Sequence, residues 1–198
     1  MIPLLLSTLA LAGPSVEAPA KNASLETGGV LQAIRPGVHV AVDSDLLVSP
    51  RDRLFTDEEL IRTLSGSVGV MGWWHPRNQT PLFVQGELSL RRTGTWLGFQ
   101  KELSVGLGLG YAINGGWTYR YSDSGELWGT PVGGRPFIAP SVGIGLGQDL
   151  SQVKPKVQVT WYTRARMHYQ WPYNVAGAPV FTAEAGIRRP IQLPRSRK

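Results

Sequence analysis

The 198-residue chain has no cysteine. That absence excludes disulfides, thiolate metal sites, a cysteine nucleophile and a lipidated cysteine behind an export signal. It also lacks the run of ~20 apolar residues that a membrane-spanning helix needs. With a mean hydropathy of -0.09, a helical membrane bundle is excluded. Charge is sparse at 17% of residues, yet the balance is +6, carried mainly by arginine. A basic surface suits anionic headgroups, lipopolysaccharide or nucleic acid. No basic helix or finger motif appears, so no nucleic-acid partner is expected. Only three histidines, His39, His75 and His168, are available as a neutral-pH base.

Glycine and proline are plentiful, at 24 and 15 residues, and oppose a mainly helical fold. Period-2 alternation dominates instead. From Lys156 to Tyr169, a mostly apolar face of Val157, Val159, Trp161, Thr163, Ala165, Met167 and Tyr169 alternates with Gln158, Thr160, Tyr162, Arg164, Arg166 and His168. This run exceeds the ~5–6 residues of a typical globular strand. Seven further strands are expected around 38–43, 65–74, 81–91, 102–113, 117–122, 136–147 and 180–189. Between the first two, Thr56 with Glu59 makes a capping box, and Phe55 with Leu60 a hydrophobic staple. These signals predict a short helix from Asp57 to Leu64 inside a first long loop. Residues 1–12, M-I-P-L-L-L-S-T-L-A-L-A, read as a signal peptide, with Ala10-Leu11-Ala12 as the cleavage motif. Residues 13–29 read as a linker, 30–189 as the β-domain and 190–198 as a basic tail.

The connections between the expected strands alternate long and short, the parity of barrels with short periplasmic turns and longer outer loops. If the apolar face meets lipid, the lumen holds Gln85, Glu87, Arg91, Arg120, Gln158, Tyr162, Arg164, Arg166 and Glu184. Buried charges must be paired, so Arg164 or Arg166 should meet Glu87 or Glu184. An eight-stranded barrel is narrow enough for such side chains to fill, which favours a plugged interior over a conducting pore. Glycines at 106, 108, 110 and at 143, 145, 147 fit no phosphate-binding motif. They are expected to leave room for bulky side chains from across the barrel. Trp74, Trp117, Tyr119, Tyr121, Trp161 and Tyr169 fall near strand ends, as interfacial girdles do.

The signal, the eight alternating segments and the loop parity together resemble the small outer-membrane β-barrels of the OmpA-like and OmpX-like class, over roughly 30–189. The resemblance implies an all-β, antiparallel, up-and-down eight-stranded transmembrane barrel in the bacterial outer membrane. Its implied partners are outer-membrane lipid, lipopolysaccharide and the barrel-assembly machinery. Members of that class end in an aromatic residue, whereas this chain ends P-R-S-R-K, read as a solvated periplasmic tail. A structural or surface-interaction role is expected, with no catalytic residues, no metal and no cofactor. Three other classes stay open: a barrel-hosted lipid-modifying hydrolase, a small-solute pore, and a secreted soluble β-sandwich binding module. In the deacylase pattern a serine lies two residues after the histidine, a place held here by Gln170.

Overall fold

The computed structural model describes residues 23–53, 56–75, 79–94, 97–114, 118–130, 133–173 and 176–191. The expected signal peptide, Trp117 and residues 192–198 of the expected tail lie outside them. Eight long antiparallel strands form a closed ring in the order β1-β10-β9-β8-β5-β4-β3-β2. They are β1 (Ala23–Gln32), β2 (Arg35–Arg53), β3 (Thr56–Trp73), β4 (Gln79–Gly94), β5 (Phe99–Asn114), β8 (Gly134–Asp149), β9 (Thr160–Tyr173) and β10 (Ala176–Ile191). A two-stranded hairpin, β6 (Thr118–Tyr121) with β7 (Leu127–Thr130), interrupts the connection from β5 to β8. The ring closes where β1 pairs with β10, from Ala23 opposite Ile191 to Leu31 opposite Ala183. Closure leaves no free edge, which removes the aggregation hazard of unpaired strands.

Eight is the expected number, but its membership differs. The aromatic segment expected as a strand at 117–122 contributes only β6, which stands outside the ring. The ring's first strand is β1, most of it inside the expected linker. Two glycines and a lone glutamate disguise its alternation: Glu26 and Val30 turn inward while Leu25 and Leu31 turn outward. At the other end β10 takes in Pro190 and Ile191 of the expected tail.

The expected helix at 57–64 is strand instead. Within β3, residues 60–64 pair with β2 on one side and β4 on the other, Leu60 lying opposite both Arg51 and Gly94. Capping signals are worth about 1 kcal/mol, and a helix of two turns is marginal on its own. Two backbone ladders outweigh them. The expected loop parity fails as well. Connections at 54–55, 95–98 and 150–159 share the end of the ring where β1 begins and β10 ends, the terminal end; those at 33–34, 74–78, 115–133 and 174–175 share the opposite end. The first excursion, expected as an outer loop, is two extended strands at the terminal end. The longest connection lies at the opposite end, called the loop end below.

The two faces of the wall are inverted relative to a water-soluble protein. Leu109 is 60% exposed and Ile144 65%, both on the outside. Inside, Arg164 is 4% exposed and Glu184 3%. No helix is long and apolar enough to cross a membrane, and that has no bearing on strands.

Candidate functional site: the charged lumen

The lumen is stratified along its axis by what each strand points inward at each level. Near the loop end it is apolar. Val30, Met71, Trp73, Phe83, Ala112, Phe137, Ala139 and Val180 form one buried cluster. Phe83 is its hub, packed edge-on against Trp73 and Phe137 with ring centroids 5.7 Å apart in each case. Such pairs add about 0.5–1.5 kcal/mol beyond the area they bury.

Below this plug, strand alternation delivers a lattice of charges. Five carboxylates (Glu26, Asp43, Glu87, Glu102 and Glu184) and four guanidinium groups (Arg91, Arg164, Arg166 and Arg188) are buried among the described residues. Arg166 Nη2 lies 2.6 Å from Glu87 and its Nη1 2.9 Å from Glu184. Arg164 Nη2 donates to Glu102 at 2.6 Å, while its Nη1 reaches Glu26 at 3.1 Å and Glu184 at 3.4 Å. Arg91 grips Asp43 in a two-pronged contact at 2.7 and 2.9 Å, the strongest geometry such a pair adopts. Arg188 joins Glu26 to Glu102 at 2.7 and 2.6 Å. The Tyr162 ring sits between two cations, 5.0 Å from the Arg164 guanidinium and 4.6 Å from that of Arg188. Each strand of the ring except β3 and β8 contributes a charge, so the lattice ties the wall together across the lumen.

Of the residues expected in the lumen, Gln85, Glu87, Arg91, Tyr162, Arg164, Arg166 and Glu184 are buried there. The four pairings expected of Arg164 and Arg166 with Glu87 and Glu184 are all present, the loosest being Arg164 to Glu87 at 3.6 Å. Gln158 is not in the wall: β9 begins at Thr160, and Gln158 lies exposed in the connection before it. Arg120 belongs to β6, off the ring. Sequence reasoning missed Glu26, His39, Asp43, Glu102 and Arg188. Glu102 and Arg188 fall inside the expected strands at 102–113 and 180–189, in phase with the inward residues Ser104 and Glu184, so reading the alternation through to the ends of those strands finds them.

The inward glycines make room, mostly for side chains leaning over from adjacent strands rather than from across the barrel. A methyl group at Gly106 would lie 2.8 Å from the Gln85 amide, and one at Gly108 2.7 Å from the Phe83 ring. At Gly145 it would lie 3.1 Å from the Thr163 carbonyl oxygen, with Glu102 and Arg164 in ordinary contact.

Glu26, His39 and Glu184 bring three potential metal-ligating atoms within 4.8 Å of one another. His39 Nδ1 is 3.4 Å from Glu26 and 3.6 Å from Glu184. Arg164 Nη1 already stands between the same two carboxylates, so the cation of this group is a guanidinium. The other buried histidine, His168, lies under Phe83 and Trp73 with Nε2 3.3 Å from the Thr182 hydroxyl. Its Nδ1 makes no hydrogen bond, so no carboxylate orients the ring as a hydrolytic base requires.

At the terminal end the lumen opens into a polar recess of about 580 Å³, lined by Asp43, Arg91, Gln100, Asp149, Gln158 and Arg188 among others. The lattice is its floor. On the outside, Trp74, Tyr169, Tyr111 and Trp171 are exposed towards the loop end. Phe99 and Trp161 lie towards the terminal end, Trp161 Nε1 donating to Gln148 at 3.2 Å. Tyr119 and Tyr121, expected in this girdle, lie on the separate hairpin instead. Comparison of the chain with family models, curated proteins and solved structures finds no match.

Proposed function

We propose that this chain is a bacterial outer-membrane β-barrel with a structural or surface-interaction role and a closed lumen. The observation that carries the reading is the inversion of its faces: a continuous apolar outside around an interior of arginine and glutamate. In water such a wall would expose an apolar surface far beyond the few hundred Å² that monomers tolerate. In a bilayer the same wall is the solvated one. Further support comes from strand lengths: β1 has 10 residues and the other ring strands 14 to 19, at or above the ~9–11 residues that a membrane strand needs. Aromatic side chains near both ends of the wall add to it, as does the resemblance to the OmpA-like and OmpX-like class.

Two layers argue against conduction. The aromatic plug closes the loop end, and the charge lattice fills the middle with its groups paired. The longer connection at 115–133, with its hairpin, is the part of the chain best placed to meet a partner outside. Heat-modifiable mobility tests the reading: membrane fractions are run unheated and boiled on one gel. A faster band in the unheated sample is expected, with no single-channel conductance in planar bilayers. A protein that stays in the soluble fraction and runs identically in both lanes would overturn it.

A further inference from the structure

Three cations stand side by side on the outer wall near the terminal end. In the strand register Arg62 lies directly opposite Arg92, and Arg92 directly opposite Lys101. All three fall on the outward face, two residues from Leu64, Leu90 and Leu103. Those leucines form the next outward row in the same register, Leu64 opposite Leu90 and Leu90 opposite Leu103. Directly opposed side chains sit with Cβ atoms about 5 Å apart, where like charges repel. No carboxylate among the described residues pairs with any of the three, and Arg62 Nε is buried without a hydrogen-bond partner. Among the residues whose side chains are described, nothing therefore offsets this repulsion.

The row also borders a concavity. A shallow trough of about 1040 Å³ runs over Gly29, Ala165, Ala183 and Ala185, whose small side chains hollow the wall, and Lys101 lies on its lining. Phe99, outward and exposed, is two residues beyond Lys101 on the same face, at the terminal-end margin of the wall.

We propose that this arrangement seats an anionic glycerophospholipid. The phosphate lies across Arg62, Arg92 and Lys101; the acyl chains lie over the leucine row and the trough. Guanidinium groups match a phosphate in two-pronged fashion, and the ammonium adds a point charge. The site rests on the membrane reading above, which also selects the lipid. The longest connection is at the opposite end, so the cation row faces the periplasmic leaflet. A glycerophospholipid, rather than lipopolysaccharide, is the anion expected there.

The test folds the full chain into vesicles of phosphatidylglycerol and phosphatidylethanolamine in equal amounts, extracts it into mild detergent and counts retained lipid by native mass spectrometry. Wild type should retain phosphatidylglycerol over phosphatidylethanolamine by roughly tenfold or more, as three cations at a lipid surface imply. The triple variant Arg62→Gln/Arg92→Gln/Lys101→Gln should retain both equally while keeping its heat-shifted band. The single variant Arg92→Gln should fall between them, and Arg35→Gln at the loop end should match wild type. Millimolar inorganic phosphate should not displace the lipid. Equal retention by wild type, undiminished preference in the triple variant, or displacement by phosphate would each overturn the lipid seat alone. Failure of wild type to enter any vesicle, with no heat-shifted band, would overturn the membrane reading with it.

Discussion

Arg164 shows what a buried charge demands of its neighbours. Its guanidinium is shared among Glu26, Glu102 and Glu184, and no water-exposed route relieves it if one of them is lost. Removing one partner of a buried pair costs about 3–5 kcal/mol, because the survivor keeps its charge and loses its compensation. Glu184→Gln strips a charge facing both Arg164 and Arg166, so urea unfolding of the folded barrel should show a loss of about that size. The Arg91–Asp43 contact allows a sharper experiment. Asp43→Leu and Arg91→Met should each destabilise strongly alone. The double variant should lose far less than the sum, since it leaves no orphaned charge between those two residues. A simple sum of the two single losses would mean that the pair is not coupled.

At the level of strands, the seam between β1 and β10 is where closure is decided. Gly28 lies opposite Gly186, and the Tyr162 hydroxyl sits over both: a methyl group on either would come within 2.7 Å of it. Backbone crowds the same space, Ala185 O lying 2.8 Å from a methyl group at Gly28. The next residue, Gly29, faces outward with nothing within 4 Å. Gly28→Ala should therefore lower the yield of heat-shifted, folded barrel severalfold, whereas Gly29→Ala should leave it unchanged. That contrast of adjacent residues also explains how much of the fold was legible. Strands rich in Val, Leu and Ile on one face, such as β5 and β8, announced themselves through alternation. The β1 strand did not, because its inward face uses Gly28 to admit Tyr162 and its outward face uses Gly29 in a hollow of the wall. Linker-like composition here is what packing requires. The helix signals at Thr56 and Glu59 misled for the opposite reason: they are local, while the competing partners Arg51 and Gly94 lie in other strands. Arg164, Arg166, Glu87 and Glu184 were readable as a lattice because each sits in a clearly alternating strand. Glu26 was not, since β1 was hidden; His39 and Asp43 lie on the polar face of the expected strand at 38–43, but their partners belong to other strands and follow from closure of the ring, not from local alternation.

For the molecule as a whole, the membrane reading makes a demand that a soluble barrel would not. The outward face of β5 runs from Phe99 through Lys101 to Leu103, Val105, Leu107, Leu109 and Tyr111. From Phe99 to Tyr111 at ~3.4 Å per residue the strand covers about 40 Å, which a tilt of ~40° reduces to roughly the height of a bilayer's apolar band with its interfaces. Val105 then lies at the middle, Leu107 about 5 Å from it at the same rise and tilt, and Phe99 at one margin. An arginine at the midplane of such a wall costs about 2–4 kcal/mol, falling to about 0–1 kcal/mol near the interface. Leu107→Arg should accordingly destabilise the vesicle-folded protein by that larger amount and Phe99→Arg by the smaller, measured by reversible urea unfolding in the same lipid. Both side chains are about half exposed, at 52% and 53%, so burial within the protein cannot produce the difference. In water an exposed leucine gains solubility from the change wherever it lies along the strand. Equal effects at the two positions would thus reject a lipid-facing wall, and a gradient with depth would require one.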